Sequence, residues 1–105
     1  MRLRLEYFDQ NEEFTNHLPQ TGTVERFVKS AENDVWALFK LDSSINYENR
    51  SISHLLLKSR WRKQRVGESE PTSVFICLVD DVQKAVNGLS IDDFEQVAWG
   101  MVYRK

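Results

Sequence analysis

Short apolar segments, separated by connections rich in turn-forming residues, constrain the fold of this chain more than any other feature. Arg2–Phe8 alternates between charged and apolar residues, which is the period-2 pattern of a half-buried strand. Thr23–Ser30 and Val35–Leu41 are separated by four residues and are predicted to form a hairpin. Most of the connections are too short for the crossover that parallel strands need, so the sequence predicts antiparallel pairing.

Three further strands are predicted towards the C-terminus. In Ser53–Val66, Leu55, Leu57 and Trp61 are predicted to face the core, with the basic residues on the opposite face. Val74–Val79 is a continuous apolar run, typical of a strand covered on both faces. The last strand is predicted from about Gln96 to Arg104, since Gly100 and the aromatic and β-branched content disfavour a helix.

The remaining segments are predicted to be loops or short helices. Asp9–Thr23 and Asp42–Ser51 are rich in polar and turn-forming residues. Asp80–Gly88 begins with two acids and ends in Asn-Gly, which favours a short helix, and Ser90–Asp93 resembles a capping box. The predicted fold class is therefore α+β. It is mainly an antiparallel β-sheet of five or six strands, able to curl towards a partial barrel, with one or two short helices.

The length of 105 residues predicts a single globular domain, residues 1–105. The longest apolar runs are far shorter than the roughly 20 residues that a transmembrane helix needs, so no membrane contact is predicted. Cys77 is the only cysteine, and the N-terminal residues lack the apolar core of a signal peptide. These features favour a cytoplasmic location.

The sequence contains no catalytic, cofactor-binding or metal-binding motif. His17 and His54 are far apart, and the four glycines are scattered rather than grouped in a phosphate-binding loop. The acidic pairs at 80–81 and 92–93 precede predicted helices, where carboxylates cap free N–H groups. Cys77 lies in an apolar run, which makes a thiol inert. No metal and no cofactor are therefore predicted, and no motif is specific enough to indicate a family.

One strongly basic stretch stands out from an acidic chain. Five of the eight residues 58–65 are basic and none is acidic, whereas the whole chain has a formal net charge of −2. Such a stretch can contact the phosphates of a nucleic acid. It is also typical of a solvated sheet face or of pairing with the acidic C-terminal segment. Its basic residues are Lys58, Arg60, Arg62, Lys63 and Arg65.

Aromatic residues are more numerous than a small core requires, at 11% of the chain. Core packing is the favoured explanation, and a ligand cavity or a patch buried by a second copy are the functional alternatives. The surplus is formed by Trp36, Phe39, Trp61, Phe75, Phe94, Trp99 and Tyr103.

Three functional hypotheses follow. The leading one is a non-enzymatic binding or interaction protein that forms a homodimer through an aromatic sheet surface or through its opposed charges. The alternative is a nucleic-acid-binding protein that uses the stretch 58–65. A third is a small-molecule-binding protein or enzyme with a pocket inside a curled sheet, and His54 or Glu68 at its mouth. The candidate binding residues are Lys58, Arg60, Arg62, Arg65, His54 and Glu68.

Overall fold

Six antiparallel strands form a closed barrel in the computed structural model, which describes residues 1–9, 14, 16–29, 35–59, 72–79, 82 and 94–104. Each strand pairs with the next along the chain, and the last pairs with the first. The strands are β1 (Arg2–Asp9), β2 (Gln20–Lys29), β3 (Val35–Tyr47), β4 (Arg50–Lys58), β5 (Thr72–Val79) and β6 (Glu95–Arg104).

The sequence predicted the antiparallel sheet correctly, and the sheet closes fully rather than curling partway. The strand count is the higher of the two predicted values. The predicted helix at 80–88 and the helical turn at 90–93 lie outside the described residues, apart from Val82. Residues 60–66 of the predicted strand Ser53–Val66 also lie outside them. All six elements that the structure describes with bounds are β-strands.

The prediction of a connection over Asp42–Ser51 is wrong. β3 continues to Tyr47, β4 begins at Arg50, and only Glu48 and Asn49 form the turn. Both turn residues have positive φ angles, 50° and 61°, as a two-residue type I′ hairpin turn requires. The polar residues that suggested a loop alternate with buried Ile45 and Tyr47 at the end of β3.

The predicted loop Asp9–Thr23 is also too long, because β2 begins at Gln20. Its first residues, Gln20 and Thr21, are polar and only partly buried, and Gly22 follows them. Short polar residues and glycine are typical of loops. Their strand conformation here comes from pairing with β1, where Leu5 lies opposite Gln20.

The barrel buries apolar side chains on both of its faces. On β3, Ala37 and Phe39 point into the barrel, whereas Trp36 and Leu38 point outwards and are nevertheless buried, as the sequence predicted for this strand. The inner core contains Leu3, Leu5, Phe14, Val24, Ala37, Phe39, Leu41, Ile45, Tyr47, Ile52, Leu55, Leu57, Val74, Ile76, Leu78 and Val102. The outer cluster contains Val28, Trp36, Leu38, Leu56, Cys77 and Val79, with Phe75, Val82 and Phe94 packed against it.

Candidate functional site

A row of aromatic side chains and one lysine crosses four neighbouring strands on the outside of the barrel. Trp36 of β3 lies opposite Lys58 of β4, Lys58 lies opposite Phe75 of β5, and Phe75 lies opposite Trp99 of β6. Because directly opposed residues project from the same face of a sheet, all four side chains share the outer surface. We call these four residues the outer row.

The members of the outer row contact one another. The ring centroids of Phe75 and Trp99 are 5.0 Å apart, and those of Trp36 and Phe75 are 6.3 Å apart in an edge-to-face arrangement. The Lys58 ammonium nitrogen lies 5.7 Å from the centroid of the Trp36 ring, within the range of a cation–π interaction. The row is therefore a continuous series of packed rings, with the Lys58 ammonium beside the Trp36 ring.

Exposure increases along the outer row from β3 to β6. Trp36 is 3% exposed, Phe75 is half-buried and Trp99 is 51% exposed. Met101, the next outward-facing residue of β6, is 37% exposed. Trp36 is thus a buried support for Lys58, while Trp99 and Met101 present apolar surface to solvent.

The structure places Lys58 on the outer face, as the sequence predicted. The other basic residues of the stretch, and Glu68, lie outside the described residues. The chain itself continues from Lys58 directly into them. The positions concerned are Arg60, Arg62, Lys63, Arg65 and Glu68.

His54, the remaining predicted site residue, lies on the outer face of β4 with partners that sequence reasoning missed. Its Nε2 is 2.7 Å from Glu25 Oε1, and its Nδ1 is 2.8 Å from Ser53 Oγ. An ionised carboxylate only accepts hydrogen bonds, so Nε2 donates to Glu25, and in the neutral imidazole Nδ1 then accepts from the Ser53 hydroxyl. Glu25 lies where the β2–β3 register shifts, and Ser53 lies where the β3–β4 register shifts.

This arrangement has the order of a nucleophile, a base and an orienting acid. Catalysis by such a group further requires hydrogen-bond donors for an oxyanion, and the described contacts of Ser53 and His54 supply none. The hydrogen bond between His54 and Glu25 instead connects β2 to β4 across β3, and the one between Ser53 and His54 lies within β4. We therefore interpret them as structural.

Among the described residues, apolar side chains pack together inside the barrel. The inward-facing side chains of the inner core are apolar except for the Tyr47 hydroxyl, and all of them are buried. Phe14, from the β1–β2 connection, packs against Tyr47 with ring centroids 5.1 Å apart. Binding is therefore better sought on the outer surface.

Within the described residues, no group of three or more His, Cys, Asp or Glu side chains is placed to hold a metal ion. Burial raises the pKa of the Cys77 thiol to about 12, so this residue stays protonated and is a poor nucleophile. His17 is half-buried beside Phe14, 6.3 Å between ring centroids. The described residues form no helix that is long and apolar enough to cross a membrane.

Comparison of the chain with models of known protein families, with curated proteins and with solved structures found no match.

Proposed function

We propose that this protein is a non-enzymatic binding module that binds nucleic acid on the outer row. The observation that carries the proposal is the position of Lys58, whose ammonium group lies in the same cross-strand row as Phe75 and Trp99. Proteins that hold nucleic-acid strands without base-specific contacts do so with two features, cationic side chains and exposed aromatic rings.

The charge distribution supports this choice of partner. The eight residues 58–65 carry five positive charges and no negative one, while the other 97 residues hold 9 basic and 16 acidic residues. The positive charge of an acidic chain is thus concentrated in the segment that begins in the outer row. A phosphate backbone is attracted to such a segment at short range, and salt screens that attraction.

The test is fluorescence anisotropy with labelled single-stranded RNA and duplex DNA at about 50 and 200 mM salt. We expect binding at the lower concentration that weakens steeply at the higher one, because phosphate contacts release counterions. Arg60→Ala combined with Arg62→Ala should weaken binding to every sequence. Lys58→Ala should do the same, whereas Lys40→Ala removes an exposed lysine of β3 outside the row and should have little effect. Absence of binding to both probes at 50 mM would reject the proposal.

A second candidate is self-association into a homodimer, favoured by the adjacent exposure of Trp99 and Met101 on β6. Exposed apolar surface of this kind is often buried by a protein partner. Sedimentation equilibrium of the wild-type chain should then show a dimer that Trp99→Ser with Met101→Ser dissociates. Phe27→Ser, which removes an equally exposed aromatic residue of β2, should leave the dimer intact. A wild-type monomer at all concentrations tested would exclude this candidate.

A further inference from the structure

We infer that the outer row selects single-stranded nucleic acid, with unpaired bases stacking on Trp99 and Phe75 and a phosphate held at Lys58. This inference rests on the proposed nucleic-acid binding and specifies its ligand. The first argument is the exposure of Trp99 to solvent. Trp99 is 51% exposed although its ring contacts Phe75, and it is not part of the inner core. An exposed aromatic ring outside the inner core is thus available to a ligand ring.

Base pairing decides which nucleic acids can use this platform. In a duplex, each base is stacked between its neighbours, so a duplex would offer the outer row little beyond its phosphates. An unpaired base exposes both faces, and every base type has such a face, so stacking on Trp99 would tolerate many sequences. The aromatic part of the row therefore favours single strands, while its lysine attracts any nucleic acid.

The spacing of the row fits a short tract of single strand. Lys58 and Trp99 are two strands apart, which corresponds to roughly 10 Å between their backbones. Phe75 fills the interval and contacts Trp99. The Trp36 ring holds the Lys58 ammonium close to the sheet surface. A base on Trp99 and a phosphate near Lys58 are thus compatible with one continuous strand that crosses β6, β5 and β4.

A second copy of the chain explains the same surface less well. A twofold pairing uses the same patch on both partners, so it would bring both copies of Lys58 to one interface. Like charges brought together in this way oppose association. A polyanion removes this repulsion, and a single strand also covers the exposed rings.

The experiment compares an unstructured single strand with a duplex of the same length and sequence, by anisotropy and by tryptophan fluorescence at about 50 mM salt. We expect the wild-type protein to prefer the single strand. Trp99→Ala should weaken single-strand binding about tenfold, the magnitude of one stacked base, and Trp99→Phe should retain most of the affinity. Binding should quench tryptophan fluorescence in the wild type, and less so in Trp99→Phe.

Matched variants separate stacking from charge. Phe27→Ala removes an aromatic side chain as exposed as Trp99, 50% against 51%, from a position outside the row, and it should leave the affinity unchanged. Lys58→Ala should reduce the slope of log affinity against log salt by about 0.7, the value for one phosphate of a single strand. Trp99→Ala should leave that slope unchanged. Circular dichroism should confirm that each variant is folded.

The outcomes distinguish the inference from the proposal on which it rests. Equal affinity for the duplex and the single strand, with no effect of Trp99→Ala, would overturn the inference and leave nucleic-acid binding standing. No binding to either probe would overturn both. Self-association that Trp99→Ala abolishes, with no binding to the oligonucleotides, would assign the surface to a second copy of the chain.

Discussion

Gly22 of β2 has no room for a side chain in the barrel. A Cβ atom added there would overlap the carbonyl oxygen of Lys40 and lie 2.7 Å from Cζ of Phe39. We expect Gly22→Ala to lower the free energy of unfolding by about 1–3 kcal/mol, the usual cost of overpacking, measured by urea denaturation. Ser51→Ala, at an exposed position of β4, should change it by less than about 0.5 kcal/mol.

Phe39 allows a sharper form of this test. Because the nearest obstruction to the added methyl group is a backbone carbonyl, Phe39→Leu should not rescue Gly22→Ala. Full rescue would show that the ring, and not the close approach of β2 to β3, limits the space at this position.

Cys77 predicts a dependence of stability on alkaline pH. Burial raises the pKa of its thiol from 9.0 to about 12, so below about pH 9 the folded and unfolded forms are both protonated. Between pH 9 and 12 the unfolded thiol ionises while the folded one does not, and stability falls as pH rises. We expect a loss of up to about 1.4 kcal/mol per pH unit in this interval from Cys77.

The control for this prediction is Cys77→Ala, which cannot ionise at this position. It should be less stable than the wild type at pH 8 because it leaves a cavity. Its stability should also fall less steeply above pH 9. Parallel stability curves for the two proteins between pH 9 and 10.5 would contradict the assignment, as would rapid labelling of the native thiol by a maleimide at pH 7.

Sequence reasoning succeeded for residues whose environment depends on their own strand. The burial of Cys77 follows from the continuous apolar run of β5, and the outward orientation of Lys58 follows from the alternation along β4. The contact of His54 with Glu25 could not be predicted in this way. It depends on a register shift at Glu25 in β2, and such irregularities leave no pattern in a single sequence.

A substitution in the hairpin turn between β3 and β4 is expected to raise the stability of the protein. Glu48 and Asn49 both adopt positive φ angles, which glycine reaches without the steric cost that other residues incur. We expect Asn49→Gly, at the second turn position where type I′ turns favour glycine, to raise stability by about 0.5 kcal/mol. Asn49→Val should lower it by about 1–2 kcal/mol, since a β-branched residue is strained there.

Thermal denaturation of the two Asn49 variants checks the turn directly. Ser51→Val, two residues further along the chain at an exposed position of β4, serves as the control because valine is favoured in strands. A lower melting temperature for Asn49→Gly than for the wild type would show that the turn does not adopt the type I′ conformation.

The outer row could not be predicted because it depends on how neighbouring strands are aligned. The sequence identified its aromatic members as part of a surplus, and it identified Lys58 as part of a basic stretch. Their juxtaposition requires the offsets of β3, β4, β5 and β6 relative to one another. Alternation within a strand fixes which residues share a face but carries no information about that offset.

The barrel as a whole has apolar layers inside and outside. Two neighbouring residues of β4 allow the contribution of each layer to stability to be measured. Leu55 is 0% exposed in the inner core and Leu56 is 3% exposed in the outer cluster. We expect Leu55→Ala and Leu56→Ala each to cost about 2–5 kcal/mol, the usual range for a buried leucine. Urea denaturation measures both, and a cost below 1 kcal/mol for Leu56→Ala would contradict the burial of the outer cluster.

Closure of the barrel also determines how the molecule can aggregate. Each of the six strands has a neighbour on both sides, so the ring of described strands presents no edge to which a strand from another chain could be added. Addition of that kind is the usual start of fibril growth. In this barrel, two neighbouring strands would first have to separate. The pair β1 and β2 has the shortest paired stretch, from Arg2 opposite Thr23 to Leu5 opposite Gln20, so we expect it to separate first. Resistance to aggregation therefore depends on how rarely β1 and β2 separate.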